Sequence, residues 1–414
     1  IINLNLRNNI SEINIMLKKI KDSKFTSLTN DIANNRALSV IPELRQLKAF
    51  NKGTSISQDI VDLIHKEGLF RYYQPKKWGG MELDFQAWLD IPEIISRGDC
   101  STGWIVANMA SHHRTLAVFD PEIQEEIWSK NPDMLIAAGN IYQQGQARKV
   151  PNGIMLSGLW NFCSGIEISD WSFFAFMLDE NGKKDWCQCV LHKDDYEVLN
   201  DWDTYGMKQT GSCSVKIEEL FVPDYKIQSF SVNREGHFFK GIKENKNLMY
   251  QIPTASIGGH GLAGCSIGGA QLCLDLLFDW IESRSTSTSN IKMSDIPSIH
   301  NRLGEISSRI DAARLILRSD CIEVENLMNL DNEISTQNKL KYKRNAAYSV
   351  QIVLEAISIM QQVSGANGIY NSSPITKALM DVQACSTHIH FNQDMQFSQW
   401  GKNRLKNDFQ SPTL

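Results

Sequence analysis

The sequence predicts an α+β chain, mainly α, in three successive units. These are an N-terminal helical domain over 1–130, a small β-barrel or sandwich domain over 131–230, and a C-terminal four-helix bundle over 231–414. Three observations carry this. Apolar residues recur at three-and-four spacing up to about residue 130, short alternating runs follow, and long helical stripes return after about 250. A chain of 414 residues also exceeds what one core usually holds.

In the first unit, SQDIVDLIHKEGLFRYY and FQAWLDIPEIISRGD carry helical stripes, and Asp120-Pro121 before EIQEEIWSK is a helix start with acidic residues in its first turn. In the second, MLIAAGNIY, GIMLSGLWNF, SFFAFML, CQCVLHK and VKIEELFV are strand-like runs divided by Asn-Gly and Pro-Asp turn signals. In the third, SIGGAQLCLDLLFDWIESR, SIHNRLGEISSRIDAARLILRSDCIEVENLM, YKRNAAYSVQIVLEAISIMQQVSG and PITKALMDVQACSTHIHFNQDMQFSQW are bundle-length, and STSTSN at 285–290 reads as a loop.

Composition narrows the function classes. A net charge of −5 supplies no basic field for phosphates, so no nucleic-acid partner is expected. No run of about 18 apolar residues is visible, so no membrane span is expected either. The N-terminal stretch lacks the apolar core and cleavage site of a signal peptide. Nine scattered cysteines suggest free thiols in a reducing cytoplasm, and Cys187 with Cys189 has no second pair to make a metal site.

The stretch LSGLWNFCSGIEISDW, residues 156–171, is unusual for a strand. Leu156, Gly158, Trp160 and Phe162 share a period of two, and Gly165 breaks it. Its aromatics could be core filler, while its glycines could let the backbone approach something large and flat.

Five motifs in order give this pattern a context. Pro75, Gly79, Gly80 and Glu82 form a P-x-x-x-G-G-x-E turn. Ser101-Thr102-Gly103-Trp104 is an S-T-G-W helix start, and Trp160-Asn-Phe162-Cys163-Ser164-Gly165 a W-x-F-x-S-G strand. Gly206-Met207-Lys208-Gln-Thr210-Gly211-Ser212 and Val222-Pro223 complete the set. On these residues the chain resembles the acyl-CoA dehydrogenase fold, and within it the flavin-dependent monooxygenase branch.

That resemblance implies the oxygenase component of a two-component system. Reduced flavin, FMNH2 or FADH2, would come from a separate flavin reductase and react with O2 through a flavin 4a-hydroperoxide to oxygenate a small aromatic or heteroatom-containing substrate. It implies a homotetramer with a shared cofactor site. His112, Ser164 and His388 are the implied catalytic residues. Trp104, Trp160, Phe162, Cys163, Ser164, Arg284, Gln362 and Gly365 are the implied cofactor contacts, with Arg284, Gln362 and Gly365 reaching a neighbouring subunit's flavin. Strand register decides whether Cys163 or Ser164 faces the ring. His113, His260 and His390 are alternatives to the two histidines.

An acyl-CoA dehydrogenase with a non-standard base is the first rival, because Gly368–Lys377 carries no carboxylate where that chemistry often places one. A non-catalytic flavin-fold binding protein is the second. Asn140 follows Ile136-Ala137-Ala138-Gly139 where many phenol hydroxylases carry hydroxyl residues. This departure, with Lys208, Met380 and Gln383, puts a simple phenol substrate in question.

Overall fold

Helix α1 (Asn30–Phe50) begins where the Thr29 hydroxyl accepts the Ile32 N–H, and it buries Ala33, Ala37, Val40 and Leu44 on one stripe. The computed structural model describes residues 23–180, 182–230, 239–252, 257–286, 290–330 and 333–405. The N-terminal stretch, residues 231–238 and part of the Ser-Thr loop lie outside the described residues. The first unit continues with α2 (Gln58–Glu67), α3 (Ala87–Ser96), α4 (Cys100–Leu116) and α5 (Pro121–Trp128). The P-x-x-x-G-G-x-E segment is a structural turn. Gly79 has φ +81°, Glu82 has φ +50°, and the Glu82 carboxylate accepts the Lys76 N–H at 2.9 Å.

The middle unit is one sheet of eight strands: β1 (Ile136–Gly139), β2 (Gly145–Val150), β3 (Gly153–Trp160), β4 (Trp171–Glu180), β5 (Lys183–His192), β6 (Glu197–Leu199), β7 (Ser214–Pro223) and β8 (Ile227–Ser229). Its order is β6-β7-β3-β2-β4-β5-β8, with β1 added parallel to β4. Strand β2, GQARKV, has no fully buried residue, so it carries no apolar alternation for a sequence reading to find. The sheet has its own core around Trp160, Phe174, Phe176 and Val215.

The third unit contains α6 (Gly259–Glu282), α7 (Pro297–Asn329), α8 (Thr336–Ser364), α9 (Pro374–Ser386) and α10 (Gln393–Arg404). By length and composition α6 could cross a membrane, with a mean hydropathy of 1.4, contrary to the expectation from the sequence. Its most apolar window is 72% buried within the protein. A Cβ on Gly264 would lie 2.8 Å from the Leu89 carbonyl and one on Gly261 3.0 Å from that of Trp88. Glycine therefore lets α6 lie directly on α3, which joins the bundle to the first unit.

Candidate active site

Where the three units meet there is a cavity of about 650 Å³. Helix α4 supplies Trp104 and Asn108, the end of β1 supplies Asn140, and the turn after β3 supplies Phe162 and Ser164. The segment before β7 adds Trp202, Asp203, Thr210 and Ser212, and the end of α9 adds Cys385 and His388. Two non-glycine residues on this wall adopt left-handed backbone, Phe162 at φ +64° and Met207 at φ +54°. The Met207 N–H is held by the Asp381 carboxylate at 2.7 Å. Phe162 stays 64% exposed and meets Trp202 edge to face, with ring centres 6.2 Å apart.

The polar groups form one line. The Trp104 indole N–H donates to Ser164 Oγ at 3.1 Å, Ser164 Oγ lies 2.8 Å from Ser212 Oγ, and Ser212 Oγ lies 2.7 Å from Thr210 Oγ1. Thr210 donates to the Met207 carbonyl at 2.9 Å. A carbonyl only accepts, so the Thr210 proton is committed to Met207. Ser212 must then donate to Thr210, and Ser164 to Ser212. The order runs from indole to carbonyl without a break. Ser164 is left with a lone pair, not a proton, for a partner in the cavity.

A buried ion cluster holds this arrangement. Lys48 pairs with Asp381 at 3.0 Å and with Asp99, whose carboxylate also caps α4 through the Thr102 N–H at 2.9 Å. Despite its burial, Lys48 is held charged above the ordinary lysine range by the two carboxylates, and Lys48 in turn holds Asp99 below the usual carboxylate range.

Several implied contacts are corrected. Trp160 is fully buried, donates to the Ala175 carbonyl at 2.8 Å and does not line the cavity. The flat group that Gly158 admits is this indole: a Cβ there would lie 2.6 Å from the Trp160 ring and 2.5 Å from the Gln144 carbonyl. Gly165, at φ +72°, serves the turn that ends the stretch. Cys163 faces the sheet core, where burial pushes its thiol up to about 12, while Ser164 faces the cavity. His112 is buried one turn beyond Asn108 and is not on the wall. Its Nδ1 lies 2.5 Å from the Ile136 carbonyl, and its ring meets Phe173 edge to face at 6.0 Å.

His388 lines the cavity, its ring edge-on to Trp104 at 5.6 Å. Burial lowers both His112 and His388 to about 4, so both are neutral at ordinary pH. His113 accepts the Trp128 indole N–H at 3.1 Å, and His260 pairs with Asp320 at 3.0 Å, both away from the wall. Arg284, Gln362 and Gly365 do not line this chain's cavity. Arg284 is exposed beside Trp280 at 5.9 Å, and Gln362 accepts from Arg302 at 3.0 Å. Asn108, Trp202, Thr210 and Ser212 were not assigned from sequence. Asn108 stands one helical turn from Trp104, and Thr210 and Ser212 sit in a motif already singled out, so the signal was present.

Comparison with known proteins bears on the fold. Residues 260–393 match the family described as acyl-CoA dehydrogenase, C-terminal domain. The chain is 27% identical over 348 residues to the oxygenase component of an FADH(2)-dependent resorcinol hydroxylase from a Rhizobium species, covering 82% of this chain and 85% of that one. It is 24% identical over 343 residues to the oxygenase component of p-hydroxyphenylacetate 3-hydroxylase from Acinetobacter baumannii, covering 82% and 81%. Among solved structures, 3-HSA hydroxylase from a Rhodococcus species superposes with a TM-score of 0.86 at 23% identity, over 92% of this chain and 98% of that one. XiaF from a Streptomyces species, in complex with FADH2, gives 0.84 at 20% identity, over 92% and 97%. The chain has the acyl-CoA dehydrogenase fold.

Proposed function

From its fold and its flavin-dependent relatives, we propose that this chain is the oxygenase component of a two-component flavin-dependent monooxygenase. The observation that carries the reading is the ordered line from Trp104 through Ser164 and Ser212 to Thr210, set in an aromatic wall. A lone pair on Ser164 suits an N–H donor. Reduced flavin carries an N–H at N5 that oxidised flavin lacks, so the residues present fit the reduced form.

When bound, reduced flavin supplies the two electrons that activate O2 for transfer of one oxygen atom. Trp104, Phe162 and Trp202 would exclude water from that chemistry. Ser164 would accept from the ring, with Ser212 keeping its proton turned away. His388 Nδ1 accepts the His390 N–H at 3.3 Å, so its ring is neutral with the proton on Nε2, a donor to an oxygen rather than a cation. The acyl-CoA dehydrogenase alternative has little support, since Asp203 is the only carboxylate on the wall among the described residues and it is solvent-exposed.

A separate flavin reductase is part of the proposal, as is assembly as a homotetramer in the cytoplasm. Exposed Leu315, Tyr348 and Phe397 around an apolar groove of about 880 Å³ on α7, α8 and α10 support assembly through the bundle. Arg284, Gln362 and Gly365 would then contact a flavin held mainly by another copy. Anaerobic titration with photoreduced and oxidised FMN and FAD tests the reading. Tighter binding of a reduced form supports it, and binding of neither redox state would sink it.

A further inference from the structure

The polar lining of the cavity bears on the substrate as well as on the reaction class, on the premise of the proposed monooxygenase function. Among the described residues, no lysine or arginine lines the wall, and His388 is neutral. The one formal charge there is the Asp203 carboxylate. No cation among the described residues of this wall can pair a substrate carboxylate, and Asp203 repels one. Removing a carboxylate from water without a partner costs several kcal/mol.

Two neutral amides instead line the cavity. Asn108 donates one Nδ2–H to the Trp104 carbonyl at 2.8 Å, which leaves Oδ1 as an acceptor and the second N–H beside it. Asn140 Oδ1 accepts from Nε2 of the buried Gln188 at 2.8 Å, and its Nδ2 has both N–H groups as donors. The backbone carbonyl of Trp104 fixes the Asn108 orientation, and the Asn140 orientation is the one that pairs it with Gln188. One wall therefore offers an acceptor and a donor, both neutral, beside the rings of Trp104 and Trp202.

We infer that the cavity selects an uncharged aromatic or heteroaromatic substrate bearing a hydroxyl or ring N–H, and that it excludes aryl carboxylates. Asn108 and Asn140 are the specificity-determining residues. Asn108 Oδ1 accepts the hydrogen bond of the substrate's O–H or ring N–H, and Asn140 donates to its hydroxyl oxygen where one is present.

A pair of near-isosteres tests this. Binding of 4-hydroxyphenylacetamide and 4-hydroxyphenylacetate is measured at pH 8 by quenching of protein tryptophan fluorescence, with and without anaerobically bound reduced flavin. The amide should bind at least about tenfold tighter than the carboxylate. Asp203→Arg should bring the two within about threefold, because it adds the missing cation. Asn108→Leu should weaken the amide about tenfold or more by removing the acceptor for its hydroxyl. Equal or tighter binding of the carboxylate by the unaltered protein would overturn the inference, and so would failure of both ligands to bind. Ligand discrimination without flavin binding would instead refute the proposed function and leave the inference standing.

Discussion

The Trp104 indole N–H donates to the Ser164 hydroxyl at 3.1 Å, at the head of a line whose polarity is set at its other end by the Met207 carbonyl. Because Ser164 must give its proton to Ser212, the site is biased toward a donor-bearing ring. Ser212→Ala removes that obligation and lets Ser164 turn its proton into the cavity. The ratio of oxidised to reduced flavin dissociation constants should then fall about tenfold, the value of one hydrogen bond. Anaerobic fluorescence titration of both redox states reads the ratio, and an unchanged ratio would show that the hydroxyl order has no bearing on it.

Lys48 should be among the most sensitive positions outside the cavity wall. Lys48→Met leaves Asp99 and Asp381 buried without a cation, which costs about 3–5 kcal/mol. Asp381 would also lose its hold on the Met207 N–H, so flavin affinity should fall with stability. The Asp99 contribution is present above the ordinary carboxylate pKa and is lost as pH falls through its lowered folded value. The Lys48 contribution persists below the ordinary lysine pKa and is lost only as pH rises through its raised one. Denaturant midpoints of the variant should therefore lie below those of the parent by a constant amount across neutral pH.

The histidines lowered by burial titrate in a different window, His112 and His388 among them. His112 and His388 both drop from 6.5 to about 4 on folding because burial disfavours the cation. A depressed folded pKa contributes stability that is complete above 6.5 and is lost as pH falls toward 4. Thermal unfolding measured from pH 7 to 4 should show that decline, and His112→Asn should make it shallower, because His388, His65, His113 and His390, lowered by the same cause, still contribute. An identical decline in the variant would place the titration elsewhere.

Gly158→Ala tests the Trp160 correction. The added methyl would meet the Trp160 ring and the Gln144 carbonyl, so stability should fall by about 1–3 kcal/mol. Any loss of flavin affinity should be smaller than in Ser164→Ala, since Gly158 serves the sheet core and not the cavity. A larger loss of flavin affinity would return Gly158 to the cofactor wall.

The three-unit order and most helices were legible because each has a long stripe of one period. The strand GQARKV was not, since its residues are polar and its register comes from neighbours on both sides. Within W-x-F-x-S-G, period two put Trp160 and Phe162 on one face, but Phe162 leaves the strand with left-handed backbone, so one indole enters the core and one ring stays at the cavity. The same turn decides Ser164 over Cys163, which alternation alone left open. His112 was implied from its position after Trp104, and its own geometry ties it to Ile136 behind the wall. The Lys48–Asp381 pair joins residues 333 positions apart, and no local pattern could have announced it.

If the cavity protects the oxygen chemistry of a reduced flavin from water, rapid mixing will show it. Protein carrying photoreduced flavin is mixed with oxygenated buffer while absorbance is followed, with and without an uncharged phenol. A transient near-ultraviolet absorbance lasting seconds is expected before the oxidised-flavin spectrum returns. Return of oxidised flavin as fast as in free solution under both conditions would contradict the proposed function.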